Sequence, residues 1–294
     1  MKENRQAGRR YALDRTCHFF DYSRSGYYKS LQEKRQVEVS EDRVLRLVQE
    51  QRRYQPRLGG KKLYKLLGED LHQLGRSMGR DKFFDILRDK DLLVKRKKQF
   101  RKTTNSYHRF WKYKNLLKDK TLTAPHQAYV SDITYLRTRK KFVYLFLITD
   151  AYSRMIVGWS VSQSLGLEGA LEAARMAIRQ CPYRKGLIHH SDRGFQYCCP
   201  QYVERLTNQG MLMSMTEENH CYENAIAERV NGILKDEFLL DSEMPNLEIT
   251  RKAVKQAIKV YNTRRPHWSL QLKTPANVHQ QNNILEKSKN KIIT

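Results

Sequence analysis

Residues 142–148 read Phe-Val-Tyr-Leu-Phe-Leu-Ile, seven apolar side chains in succession, and the run stops at Thr149-Asp150. A strand with one wet face alternates apolar and polar residues, so an unbroken apolar run of this length reads as a strand buried on both faces. The flanking segments supply the rest of the sheet and its covers. Strands are expected over 128–136, 155–161, 186–190 and 211–215, and helices over 167–180, 200–208, 222–240 and 247–262. Three successive strands followed by alternating helices and strands give an α/β fold, a mixed sheet flanked by helices, over residues 125–280.

The N-terminal third has a different period. Ser40 is placed to cap a helix over 41–53, with Val44, Leu47 and Val48 on one face. A break at 56–60 precedes a helix over 61–74 carrying Leu63, Leu66, Leu67, Leu71 and Leu74, and a second break at 75–79 precedes a helix over 80–89. Short helices joined by tight turns and studded with Lys61, Lys62 and several arginines predict a small all-α, helix-turn-helix-like DNA-binding region over 1–94. Residues 95–124 read as a basic linker in which Lys97, Lys98 and Arg101 stand among aromatic residues, a composition that suits a nucleic-acid backbone. Residues 281–294 read as a flexible tail.

Charge sets the partner class. Across 294 residues, 56 Lys and Arg stand against 31 Asp and Glu, a net charge of +25, and most of the excess lies before residue 126. A polyanion partner, nucleic acid, follows from that clustering. No apolar stretch approaches the ~18 residues needed to span a bilayer. The five cysteines, Cys17, Cys181, Cys198, Cys199 and Cys221, form no CxxC pair. Free thiols in a reducing cytoplasm are the expectation.

Within this basic chain, three acidic residues stand in three separate motifs. Asp132 lies in Val130-Ser131-Asp132-Ile133-Thr134, Asp192 in His189-His190-Ser191-Asp192-Arg193-Gly194, and Glu228 in Asn224-Ala225-Ile226-Ala227-Glu228. The first needs a reason, because aspartate is disfavoured within a strand. The second falls at an expected strand end. The third shares one helical face with Asn224, Asn231 and Lys235, while Ile226, Val230, Ile233 and Leu234 take the opposite face. That polar stripe is expected to point away from the core, with Asn224, Asn231 and Arg193 available to DNA. Three carboxylates brought together can hold two divalent cations, which can drive in-line attack on a phosphodiester. Asp150 is a fourth candidate, read as a strand-terminating turn residue.

Taken together, Ser131-Asp132-Ile133-Thr134-Tyr135, His190-Ser191-Asp192-Arg193-Gly194-Phe195-Gln196-Tyr197 and Asn224-Ala225-Ile226-Ala227-Glu228 resemble the catalytic core of the Asp-Asp-Glu transposases. More narrowly they resemble the second-frame (OrfB) protein of bacterial insertion sequences of the IS-three family, relatives of retroviral integrases. Tyr261-Asn262-Thr263-Arg264-Arg265-Pro266-His267 is similar to the family's closing signature, and Ser25-Gly26-Tyr27-Tyr28 and Gly59-Gly60-Lys61-Lys62-Leu63 resemble its N-terminal region. The resemblance implies a ribonuclease-H-like core and a catalytic triad of Asp132, Asp192 and Glu228 holding two Mg²⁺ or Mn²⁺ ions. It also implies cleavage and strand transfer at element ends, and contact between Lys235 and the element terminus. Implied partners are terminal-repeat and target DNA, a second copy of the chain, and a helix-turn-helix product of the upstream frame. Two other readings compete: a DNA-binding regulator without catalysis, and a general nuclease of RNA–DNA hybrids.

Overall fold

The computed structural model describes residues 13–73, 78–95, 109–217 and 224–280. It divides into two compact units, residues 1–53 with 59–94, and residues 54–58 with 95–294.

The first unit is helical: α1 (Leu13–Phe19), α2 (Arg24–Tyr54), α3 (Gly60–Leu66), α4 (Gly68–His72) and α5 (Arg80–Asp89). Helix α2 begins far earlier than expected. Ser23 caps it, its hydroxyl accepting from the Gly26 N–H at 3.0 Å, whereas Ser40 sits mid-helix and donates back to the Val37 carbonyl at 2.7 Å. The helix expected over 61–74 is two short ones, because Leu67 (ψ 6°) leaves the helical region just before Gly68. Residues 74–77 lie outside the described residues. Val44, Val48, Leu63, Leu67, Leu71, Phe83 and Leu87 are buried.

The second unit holds a five-stranded sheet in the order β3-β2-β1-β4-β5, made of β1 (Ala128–Arg137), β2 (Phe142–Asp150), β3 (Ile156–Ser162), β4 (Ile188–Ser191) and β5 (Leu212–Met215). The first three strands run antiparallel, and β4 and β5 join β1 in parallel. Between them lie α6 (Leu167–Gln180), α7 (Phe195–Cys198) and α8 (Pro200–Thr207), followed by α9 (Ala225–Glu237) and α10 (Leu247–Thr263). The apolar run on β2 is divided between two cores. Phe146 and Ile148 pack under α6 with Ala170, Ala173, Ala174 and Ala177. Val143, Leu145 and Leu147 pack under α9 and α10 with Val230, Ile233, Leu234, Val254 and Ile258. Each side chain so buried contributes about 1.5–3 kcal/mol. Strand β4 starts two residues later than expected, because Gly186 takes a left-handed turn (φ 78°) and binds the Gly210 carbonyl at 2.8 Å.

Residues 109–123, expected as part of a linker, belong to this core. The Leu116 N–H reaches Ser214 Oγ at 2.8 Å, and the Met215 N–H reaches the Lys114 carbonyl at 3.4 Å, so the segment lies along β5. Phe110 and Tyr113 pack on one core, and Leu117 and Leu122 on another.

The closing segment acts as a set of fasteners. Asn262 satisfies both backbone groups of Ile156 on β3, at 2.9 and 3.0 Å. Arg265, 2 % exposed, grips Glu237 at the end of α9 with two hydrogen bonds of 2.8 and 2.7 Å. Gln55 donates to the same carboxylate.

Two substitutions test this packing. A Cβ on Gly158 would stand 2.3 Å from the Ala173 backbone carbonyl, so Gly158→Ala should force α6 off β3 and cost about 1–3 kcal/mol in urea unfolding. Glu237→Gln leaves the Arg265 guanidinium buried without a counter-charge and should cost about 3–5 kcal/mol. A loss below 1 kcal/mol in either variant would contradict the packing described.

Candidate active site

The site follows from the register of two strands. Ser131 of β1 stands opposite Ser191 of β4 in a parallel pair. The next residue on each chain is an aspartate, and both turn to the same side of the sheet. Asp132 and Asp192 are thus neighbours on the face that α9 covers. The Ile133 N–H donates to Asp132 Oδ1 at 2.9 Å, and the Gly194 N–H to Asp192 Oδ1 at 3.0 Å.

Helix α9 is tied to β1 at two points. Asn224, its N-cap residue, donates Nδ2–H to the Ser131 carbonyl at 3.0 Å. Asn231 donates Nδ2–H to Asp132 Oδ2 at 2.7 Å. Glu228 lies between them on the same helical face and is exposed. The polar stripe therefore does not point away from the core as expected. Its two asparagines are 4 % and 5 % exposed and turn inward, because the backbone of β1 and the Asp132 carboxylate need donors there. Neither is open to DNA in this structure.

The electrostatics record the convergence. Burial, then the negative charge of Asp192, and to a lesser degree that of Glu228, push the Asp132 carboxyl up to about 7; the bonds from Asn231 and Ile133 act the other way. Lys235, half-buried on α9, is lowered by burial and supported by the charges of Asp132 and Asp241. Among the described residues no three acidic, histidine or cysteine side chains stand close enough to clasp a metal between them. The carboxylates gather without closing on one point.

Under the sheet lies a buried polar layer. His189 Nε2 is 3.2 Å from Ser131 Oγ and 3.0 Å from the Tyr202 hydroxyl. Burial holds His189 down to about 3, so the ring is neutral. Asp150 is fully buried and accepts from the backbone of His126, Tyr152 and Ser153 at 2.7, 3.1 and 2.7 Å. That is the turn-closing arrangement expected of it.

The other residues expected to meet DNA are scattered. Arg193 is half-buried beside Asp192, Lys61 is exposed, and Lys62 is only 9 % exposed, so Lys62 is poorly placed for a phosphate. Lys97, Lys98, Arg101 and Cys221 lie outside the described residues, as do residues 218–223 in front of α9. The inward role of Asn224 and Asn231 was missed, although two asparagines bracketing a glutamate at helical spacing were its visible signal.

Comparison with known proteins agrees with this geometry. Two family models, each described as Integrase core domain, match residues 123–221 and 209–275. Over 264 residues the chain is 34% identical to the insertion element IS600 uncharacterized 31 kDa protein of Shigella sonnei, covering 88% of this chain and 96% of that protein. The chain belongs to the insertion-sequence transposases of the IS-three family. Against transposase InsF for insertion sequence IS3A of Escherichia coli (strain K12), this transposase is 33% identical over 183 residues, 62% of its own length and 64% of InsF. A solved structure of the HTLV-2 integrase catalytic core domain in complex with magnesium matches 53% of the transposase and 97% of that chain, at 22% identity and a TM-score of 0.42. The family match and the mixed five-stranded sheet make the fold a polynucleotidyl-transferase core of the ribonuclease-H-like class, preceded in sequence by helices. No described helix is long and apolar enough to cross a membrane.

The raised Asp132 has a consequence for stability. Its value in the folded chain, about 7, exceeds the ordinary 3.8. The folded metal-free protein therefore holds an extra proton between those values, and stability declines as pH rises through that window. Asp132→Asn removes the effect. Relative to wild type, the variant should gain on the order of 1–2 kcal/mol on going from about pH 5 to about pH 8 in urea unfolding without divalent ions. A difference independent of pH would contradict the raised Asp132 carboxyl.

Proposed function

We propose that this transposase cleaves and rejoins DNA strands at the ends of its insertion sequence by metal-assisted phosphoryl transfer, with Asp132, Asp192 and Glu228 as the catalytic carboxylates. The observation that supports the reading is the approach of three carboxylates from two strands and a helix: burial first, and then the charges of Asp192 and Glu228, push Asp132 up to about 7. Carboxylates this close repel unless a cation joins them, and hard oxygen donors suit Mg²⁺ or Mn²⁺. Such ions complete their coordination with water and substrate phosphate, so carboxylates that do not close on one point fit them. Asp132, Asp192 and Glu228 would hold the ions. When bound, the metal lowers the pKa of an attacking water or 3′-hydroxyl and stabilises the leaving oxygen.

The chain's own groups supply the rest. The amide of Asn231 fixes one oxygen of Asp132, and Asn224 fixes the start of α9, so Glu228 is presented from a rigid element. Lys235, on the same helical face as Glu228 and within the field of Asp132, is a point charge suited to the phosphate next to the scissile bond at the element terminus. No tyrosine need act as a nucleophile. The substrate is duplex DNA, both terminal repeat and target. Joining two ends calls for at least two copies of the chain, and an upstream-frame helix-turn-helix partner or fusion fits the same task.

A labelled duplex carrying the element ends, incubated with Mn²⁺ or Mg²⁺, tests the assignment. Wild type should nick and transfer. Asp132→Asn, Asp192→Asn and Glu228→Gln should each lose on the order of 10³-fold in rate while retaining fold and DNA binding. Divalent ions should raise the melting temperature of wild type and leave that of the three variants nearly unchanged. Substantial cleavage by all three variants would overturn the triad. Binding without cleavage in wild type as well would favour a regulatory protein.

A further inference from the structure

The hairpin joining β1 to β2 carries Arg137, Arg139, Lys140 and Lys141, all exposed, and none of them is ion-paired among the described residues. The turn is stiff. The Thr138 N–H reaches the Lys141 carbonyl at 3.0 Å, and the Lys141 N–H reaches Thr138 Oγ1 at 3.2 Å. The loop after α9 is pinned against it: Arg139 N–H donates to the Met244 carbonyl and Met244 N–H to the Arg137 carbonyl, both at 3.0 Å. Beside the turn lies a cleft of about 390 Å³ whose lining includes Lys140, Lys141 and Arg251. Two donors of Arg251 are held on the Val161 carbonyl at 3.1 and 3.0 Å, and Lys141 Nζ is held by Gln163 at 3.1 Å. The acidic residue in that lining, Glu248, is already paired with Lys252 at 2.7 Å.

Four cations within five residues repel one another, and a rigid turn denies them the freedom to spread apart. Their position gives the clustering a use. Arg137 lies five residues along β1 from Asp132, about 17 Å at the usual strand rise, and its charge is felt at Lys235. Lys235 therefore feels both the carboxylate of Asp132 and the base of the hairpin. A duplex laid along β1 with its scissile phosphate at Asp132 would bring phosphates some five base pairs away over Arg137 at the base of this hairpin, at ~3.4 Å per step along each strand.

We infer that the β1–β2 hairpin, with Arg137, Arg139, Lys140 and Lys141 and the neighbouring Arg251, is a duplex-DNA contact surface that grips the phosphate backbone flanking the scissile bond. It rests on the phosphoryl-transfer reading above for the place of the scissile phosphate.

The test uses the full chain carrying Arg139→Ala, Lys140→Ala and Lys141→Ala together. The control carries Arg175→Ala, Arg179→Ala and Arg205→Ala, three exposed arginines around a separate cleft between α6 and α8. Affinity for a labelled element-end duplex and for an unrelated target duplex is measured across a salt series. The slope of log affinity against log salt should fall by about 2.7 in the hairpin variant, about 0.9 for each phosphate no longer neutralised, and stay unchanged in the control. A fall on the end duplex assigns the surface to the element terminus, and a fall confined to the unrelated duplex assigns it to the target. An unchanged slope on both, or an equal fall in the control, overturns the inference. Unaltered circular dichroism and melting temperature keep misfolding apart from weakened DNA binding. Binding is read without metal, so a failure here stays distinct from a failure of the triad, which is read by Glu228→Gln in the cleavage assay.

Discussion

Everything at the site depends on the parallel pairing of β1 with β4. Setting Ser131 against Ser191 makes the following residues, two aspartates, neighbours on one side of a sheet. A slip of one residue would turn one of them into the core under α6. The register is held by the buried partners around it, Tyr129 and Ile188 among them, and by the layer of His189, Ser131 and Tyr202. Apolar burial fixes the register, and the register fixes the chemistry.

The second constraint is the seating of α9. An amphipathic helix can roll on a sheet by a fraction of a turn at little cost if only greasy contacts hold it. The amides of Asn224 and Asn231 remove that freedom by bonding to β1 at both ends of the stretch containing Glu228. Arg265 then fastens the far end through Glu237. A buried ion pair contributes little net stability after desolvation but specifies one arrangement strongly.

Much of the core was legible because its signals are local and strong. The apolar run on β2, the alanine-rich α6 and the apolar positions of α9 and α10 each name their element without help from distant residues. The three acidic motifs were legible as chemistry, and their convergence was an inference that the strand register then explains. What was hidden depended on partners far along the chain. Ser40 had the look of a cap, yet the polar surface of residues 24–39 continues as helix from Ser23. Residues 109–123 read as linker because cations are interleaved with their apolar groups at neither strand nor helix spacing, while their hydrogen-bond partners lie about a hundred residues away on β5. Asn224 and Asn231 looked wet for the same reason: nothing nearby in sequence says that a backbone carbonyl of the central strand and a buried carboxylate wait above them. Nor did the hairpin cations announce themselves, since only the fold shows them gathered at the end of the strand that carries Asp132.

The outer strands carry a further consequence. A sheet of five strands has two open margins, and rows of unpaired backbone groups at such margins invite a second chain to add itself. Here Lys114 to Leu116 lies along β5, while the side chains of Asn262 and Arg251 occupy Ile156 and Val161 on β3. Both covers come from outside the sheet's own sequence, one before it and one after. A fragment trimmed to begin at Pro125 and end before α10 would keep every strand and all three acidic residues, yet bare both margins at once. Its hazard would be aggregation by strand addition, even with the catalytic residues intact.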